Sequence, residues 1–258
     1  MEPVELREDL WLVDLALYLP RSGSLVIADL HLGYEEALAQ EGVLVPRGHL
    51  EGLLERLGNI LARLGKVRRL VINGDLRHQF GPLSLEELKE AEELLSSLSE
   101  HEQLEELILI EGNHDLNLNL VALAAKFPKV RARRSLKEGE FLILHGDKHP
   151  SEEELAGVEL IIIGHEHPAV GLRSEVTGRI EVYKAFLMGT YRGRGLLVQP
   201  SFNLLVKGSD ITREEVISPL IDSSKLGELE AWLISDEGRI YHFGKVKELL
   251  HPQTAPLG

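Results

Sequence analysis

Residues 160–167 read LIIIGHEH: four apolar residues, a glycine, then His165 and His167 on either side of Glu166. An apolar run this short, rich in Ile and Leu, predicts a strand buried on both faces. Four other runs end the same way. LVIADLH closes on Asp29 and His31, LVINGD on Asp75, LILIEGNHD on Asn113 and His114, and FLILH on His145. In open α/β sheets ligands bind beyond the carboxyl ends of the strands. Strands that all end in Asp, Asn or His therefore direct their chemistry at one place.

Outward from these runs, helical and strand patterns alternate to about residue 165 and strands dominate afterwards. A strand pair is predicted at 10–17 and 24–28, joined by the Pro20-Arg21-Ser22-Gly23 turn. A helix follows Pro46, with Leu50, Leu53, Leu54, Leu57, Ile60, Leu61 and Leu64 at helical spacing and Gly65 as its stop. Strands are expected at Leu70–Asn73 and Leu107–Ile110. Between them, Ser84 with Glu87 reads as a capping box opening a helix to about Leu98. A short helix at 118–126, strands near 130–135 and 141–145, and a short helix from Ser151 follow. Beyond Pro168, strands near 179–187, 195–199, 202–206, 231–235 and 239–243 suggest a second sheet. With no linker-like stretch, residues 1–250 are expected to form one domain, with 251–258 a frayed tail.

The chain has 258 residues and no cysteine, which excludes disulfides and thiolate metal sites. Glu2, Glu5, Glu8 and Asp9 occupy the place of a signal peptide, and no apolar run approaches a membrane span. A cytoplasmic protein with no membrane partner is expected. Abundant Glu, Lys and Arg beside only two Met also resembles thermophile composition. The net charge of −14 argues against coating nucleic acid by bulk electrostatics. The charge is uneven, however. Glu86 to Glu106 is strongly acidic, whereas Lys126, Lys129, Arg131, Arg133, Arg134 and Lys137 form a basic cluster able to guide an anionic substrate. Alternation of those arginines with Val130 and Ala132 equally fits the protective outer face of an edge strand.

Asp29-x-His31 and His165-x-His167 share one logic: on an extended backbone alternate residues point the same way, so each pair aims two ligands at one point. Carboxylate with imidazole suits Mn, Fe or Zn better than Ca or Mg. Seven candidates, Asp29, His31, Asp75, Asn113, His145, His165 and His167, are too many for one ion and suit two. Asp75 has two oxygens with which to bridge a pair, and two ions ~3.5–4 Å apart can activate a hydroxide for in-line attack on phosphorus. His114 is the candidate general acid, with Asp115 to orient or charge-stabilise it.

In content and order these segments resemble the five motifs of the calcineurin-like metallophosphoesterase superfamily, over about residues 24–168. The resemblance implies an α+β fold, a four-layer α/β/β/α sandwich of two mixed sheets flanked by helices. It implies one metal held by Asp29, His31, Asp75 and His167, a second by Asp75, Asn113, His145 and His165, and His114 as acid. Protein phosphatases of the superfamily continue differently after Gly-Asp. Here Asp75-Leu76-Arg77-His78, with Asp115 closing the Gly-Asn-His-Asp motif, resembles the DNA double-strand-break repair nucleases, which implies Arg77 and His78 near the scissile phosphate. No obvious capping domain or partner-docking extension of those nucleases is expected in these 258 residues. It looks closest to small archaeal and bacterial relatives, including the ligase-associated DNA-damage endonuclease type. The Gly42–Pro46 loop, Gly164–Pro168, and Pro200-Ser-Phe-Asn203 with Gly208 carry that narrower likeness.

The function expected is a phosphodiesterase using two divalent ions, Mn(2+) first, with Fe, Zn, Ni or Mg as other choices. DNA is the leading substrate. A small nucleotide or phosphorylated metabolite is the rival the acidic charge favours, and a non-catalytic scaffold with the same fold is the third reading. A DNA-repair protein and a second copy of the chain are the partners left open. Arg192 and Arg194 read as turn residues or phosphate contacts, while His49, His101, His149, His242 and His251 read as surface, with His149 the strongest exception.

Overall fold

The computed structural model describes residues 2–43, 45, 48–173 and 177–249. The expected tail at 251–258, with Leu44 and Pro46 of the Gly42–Pro46 loop, lies outside them. Strands β1 (Val4–Arg7), β2 (Leu10–Val13), β3 (Ala16–Leu19), β4 (Ser24–Ala28), β5 (Arg69–Asn73), β6 (Glu106–Ile110) and β7 (Val130–Arg133) form a seven-stranded sheet in that order. Its first half is antiparallel. From β4 to β7 it is parallel, with the carboxyl ends of β4, β5 and β6 side by side.

The second sheet has nine strands: β8 (Ser135–Glu138), β9 (Phe141–Leu144), β10 (Leu160–Ile163), β11 (Pro168–Arg173), β12 (Ile180–Tyr191), β13 (Arg194–Val198), β14 (Ser209–Asp210), β15 (Glu230–Ile234) and β16 (Ile240–Lys245). It too is mixed, with β9, β10 and β13 parallel at its centre. Alternate residues separate its two faces. Phe141, Ile143, Leu160, Ile162, Phe186, Leu197 and Trp232 join the apolar core of the first sheet. Leu142, Leu144, Ile161, Ile163, Leu187, Val198 and Leu233 form a second cluster on the outer face.

Helices α1 (Tyr34–Gln40), α2 (His49–Leu64), α3 (Leu85–Glu100) and α4 (Leu120–Ala124) belong to the first half of the chain, α5 (Glu152–Leu155) and α6 (Val246–Leu249) to the second. The apolar faces of α2 and α3 pack with the first sheet, and Leu155 and Val246 cover the second. The architecture is therefore two mixed sheets flanked by helices, as the motifs implied. Gly65, at φ 65°, closes α2, and both bonds of the Ser84–Glu87 capping box are present. No helix among the described residues is long and apolar enough to cross a membrane.

Some expectations fail for local reasons. The run 10–17 is a hairpin, turned at Asp14 (φ 56°), whose carboxylate pairs with Arg56 at 2.6 Å. Four strands, not two, thus precede α1, because apolar residues on both sides hide the turn. The stretch 130–135 is split at Arg134, where the chain passes from β7, the edge of one sheet, to β8, the edge of the other. Residues 202–206 form no strand. The second sheet begins at Ser135, not beyond Pro168.

Candidate metal centre

The loops after β4, β5, β6, β9 and β10 meet where the carboxyl ends of the two sheets converge. Their backbone is not extended, and this corrects the expectation for the Asp-x-His and His-x-His pairs. Asp29, His31, Asp75, His165 and His167 have φ between 41° and 64°, making five of the seven non-glycine residues at positive φ among those described. Left-handed backbone costs ~1–3 kcal/mol per residue and persists where the surroundings enforce it. Asp and His tolerate it better than branched residues do. Each of these candidate ligands thus sits on a tight turn beside a strand end rather than continuing the pleat.

The loops are laced together. His31 and Leu32 donate their amides to Asp75 and Leu76 carbonyls at 3.0 and 2.8 Å. Ser201 Oγ donates to the Asp29 carbonyl at 2.8 Å and Asn203 Nδ2 to that of Leu30 at 3.1 Å. The Ser209 amide holds the His167 carbonyl at 2.9 Å. Residues 201–203, which overlap the strand expected at 202–206, are thus a clamp on the first candidate pair. Short polar residues amid apolar ones were the only signal for it.

The donor atoms gather in three groups, of which two share Asp75: His31, Asp75 and His167, and Asp75, His145 and His165; the third, His31, His78 and His114, lines the cleft. In the first, His31 Nε2 lies 3.1 Å from His167 Nε2 and 3.9 Å from Asp75 Oδ2. In the second, His145 Nε2 lies 3.4 Å from Asp75 Oδ2, 3.1 Å from His165 Nδ1 and 2.7 Å from Asn113 Oδ1. Asp29 spans both, with Oδ2 3.5 Å from His167 Nε2 and Oδ1 3.4 Å from His145 Nδ1. All seven expected ligands are therefore brought together.

Glycines make this density attainable. A Cβ on Gly112 would overlap Asp75, one on Gly74 would overlap the His145 ring, and one on Gly164 would stand 2.6 Å from Asp29 Oδ2. Asp29 and Asp75 are buried, yet Asp29 Oδ1 makes no hydrogen bond among the described residues. Burial pushes the Asp75 carboxyl up to about 8. Burial would raise Asp29 too, but the His167 and His145 imidazoles hold it well below the usual carboxylate range. Burial also drives His31 well down, and His165 down to about 4, favouring the neutral imidazoles that ligate metals. Against the burial that would lower it, Asp29 and Asp75 hold His145 up at about 9. Buried carboxylates packed among imidazoles are a donor set that fits divalent cations.

His114 stands at the edge of this cluster, Nε2 3.8 Å from Asp75 Oδ2, with burial pushing it down to about 4. Its Nδ1 faces the His78 carbonyl, not Asp115. Asp115 is fully buried and accepts from the amides of Gly112, Leu76 and Arg77 at 3.0, 3.3 and 3.2 Å. It shapes the Asp75 and Asn113 loops and does not orient the imidazole, which corrects its expected role. Arg77 is corrected as well. It is 1% exposed and pairs with buried Glu87 at 3.1 Å, while its remaining hydrogen bonds go to the Gly81 and Pro82 carbonyls. Its side chain is folded under the loop, away from any substrate, and the acidic α3 is not solvated at Glu87.

His78 does face the cleft. With His31, Tyr34, His114, His167 and Lys207 it lines a cavity of about 380 Å³. A second cavity of about 370 Å³, on the His145 side, is lined by Arg134, Lys148 and His149 among others. Of the basic cluster, Lys126 pairs with Glu92, and Lys129, Arg131, Arg133 and Lys137 bond backbone carbonyls. Arg134 alone of the cluster lines either cavity. Arg192, at φ 48°, turns β12 into β13 and pairs with Glu152. His49 is buried rather than on the surface, its Nε2 accepting from the Leu204 amide at 3.4 Å.

The family model of the calcineurin-like phosphoesterases matches residues 24–169, and the chain belongs to that family, hydrolases that normally bind divalent metals. Among solved structures, the Pseudomonas putida nuclease MPE overlays with a TM-score of 0.62 and 23% identity, covering 93% of this chain and 98% of its own. YfcE, a phosphoesterase from E. coli, matches with a TM-score of 0.39 and 15% identity, over 86% of this chain and 98% of its own. No curated protein sequence matches. The nuclease overlay supports the shared fold.

Proposed function

We propose that this phosphoesterase is a dinuclear phosphodiesterase that cuts DNA. The observation that carries the dinuclear reading is the position of Asp75, common to two of the three donor groups. Asp29, His31, Asp75 and His167 would hold one ion, and Asp75, Asn113, His145 and His165 the other. Oxygen and imidazole donors without thiolate favour Mn(2+). When bound, the ions supply Lewis acidity to the phosphoryl oxygens. His114 is the general acid. Its Nδ1 is engaged by the His78 carbonyl, which leaves Nε2 to give a proton to the leaving oxygen, and the charge of an arriving phosphate favours its protonated form. His78 steers the phosphate from the cleft wall.

Support for DNA comes from the Asp75–His78 and Gly112–Asp115 sequences, from the fold of the Pseudomonas putida nuclease, and from a cavity on each side of the centre. The charge of −14 favours a small nucleotide as the second reading. Purified protein with Mn(2+) is expected to hydrolyse bis(p-nitrophenyl) phosphate and single-stranded DNA. Turnover of mononucleotides or cyclic nucleotides with none of DNA would replace the first reading by the second, and inactivity with every divalent metal would point to a scaffold.

A further inference from the structure

Phe80 is 61% exposed and lies beside His114 at the edge of the site. One face of its ring lies on the His114 imidazole, with centroids 3.7 Å apart and planes tilted by 33°. The loop carrying it is pinned. Asn117 Nδ2 donates to the Phe80 and Gly81 carbonyls at 2.9 and 3.1 Å, and the His114 ring engages the neighbouring His78 carbonyl. Leu116, two residues beyond His114, is also exposed. An aromatic ring covered on one side, open on the other and held by a fixed loop is built to receive a flat apolar group. A role in packing His114 alone would leave the open face without purpose.

We infer that Phe80 is a specificity-determining residue whose free face stacks the nucleobase on the leaving-group side of the scissile phosphate. The side follows from His114: the residue that protonates the leaving oxygen lies against that oxygen's substituent, and Phe80 lies on His114. This rests on the phosphodiesterase reading above and names what that site recognises, a base-bearing phosphate ester. Stacking suits any base, since each has a π-face, so selectivity is for nucleotides over baseless esters and not for sequence.

The test is competitive inhibition of bis(p-nitrophenyl) phosphate hydrolysis in Mn(2+) by deoxyadenosine 5′-phosphate and by 2-deoxyribose 5-phosphate, which lacks the base. In the wild type the nucleotide is expected to inhibit about tenfold more tightly. The gap should close in Phe80→Ala and in Phe80→Leu, which keeps bulk but not the aromatic face, and persist in Phe80→Trp. Equal inhibition constants in the wild type, or a gap unchanged in Phe80→Ala, would overturn the assignment while leaving the phosphodiesterase standing. A wild type inactive on bis(p-nitrophenyl) phosphate would overturn both.

Discussion

His31 Nε2 and His167 Nε2 lie 3.1 Å apart although 136 positions separate the residues in the chain. Two ligands at ~2.1 Å from one ion in neighbouring coordination positions stand about 3.0–3.4 Å apart. The folded chain thus presents the spacing of a coordination sphere. It is held by left-handed turns at both residues and by hydrogen bonds to the Asp29, Leu30 and His167 carbonyls.

The shared carboxylate sets the first prediction. His31→Ala should lose one bound ion per chain, whereas Asp75→Ala should lose both, read by inductively coupled plasma mass spectrometry after gel filtration. Activity should fall further than the ~10–100-fold typical of an outer-shell change. Two ions retained in Asp75→Ala would show that it does not bridge.

Gly112 has an ordinary extended backbone, so alanine there adds no conformational strain. It would, however, place a methyl group 2.1 Å from Asp75 Oδ1 and 2.3 Å from the Asp75 backbone nitrogen, so the Asp75 loop must shift. Gly112→Ala is expected to weaken Mn(2+) affinity by at least the roughly 10–100-fold of an outer-shell change, measured by isothermal titration calorimetry on protein whose fold is checked by circular dichroism.

His114→Ala should keep both ions and lose ~10²–10⁴-fold in kcat. The loss should be smallest for substrates with a good leaving group such as p-nitrophenolate, which needs no proton. Equal losses for p-nitrophenyl and alkyl esters would remove the general-acid role.

Arg77 and Glu87 form a buried pair beneath the cleft. Arg77→Ala strands the Glu87 carboxylate and should destabilise the fold by about 3–5 kcal/mol in urea denaturation. KM of the folded variant should stay within a few-fold of wild type. A selective rise in KM with stability intact would place Arg77 at the substrate after all.

His49 supplies a pH dependence. Burial, reinforced by the charge of Lys184, holds it down at about 4 against an ordinary 6.5. The neutral form is the folded one, accepting from the Leu204 amide. A depressed imidazole means that the unfolded chain binds more protons. Stability is therefore full above about 6.5 and declines as the pH falls toward 4, by at most about 1.4 kcal/mol per unit. His31, His78, His114 and His165 are also lowered and contribute in the same direction, whereas His145, raised to about 9, contributes in the opposite one. The readout is therefore the difference between wild type and His49→Gln. The variant should lose less stability between about pH 7 and about pH 5.

Local patterns carried much of the fold. Apolar runs identified β4, β5, β6, β9 and β10, the heptad-like leucines and Gly65 bounded α2, and Ser84 with Glu87 started α3. Turns buried within apolar stretches were illegible, since nothing in LWLVDLALYL distinguishes a strand from a hairpin until Asp14 finds Arg56, 42 residues away. The loop at 201–203 was misread for the same reason, because its polar side chains answer to carbonyls about 170 residues earlier, at Asp29 and Leu30.

The sequence by itself determined which residues could ligate metal and in what order they come, because donor chemistry and strand ends are local properties. Only the tertiary structure decided how those residues are aimed. Left-handed turns, glycine-backed close approach and the 201–203 clamp turned alternate residues into convergent ones. It also decided that Arg77 and Asp115, adjacent to the site in sequence, lie beneath it, while Phe80, without a polar atom to announce it, stands over His114. Direction in space depends on contacts between distant segments, which no spacing along the chain encodes.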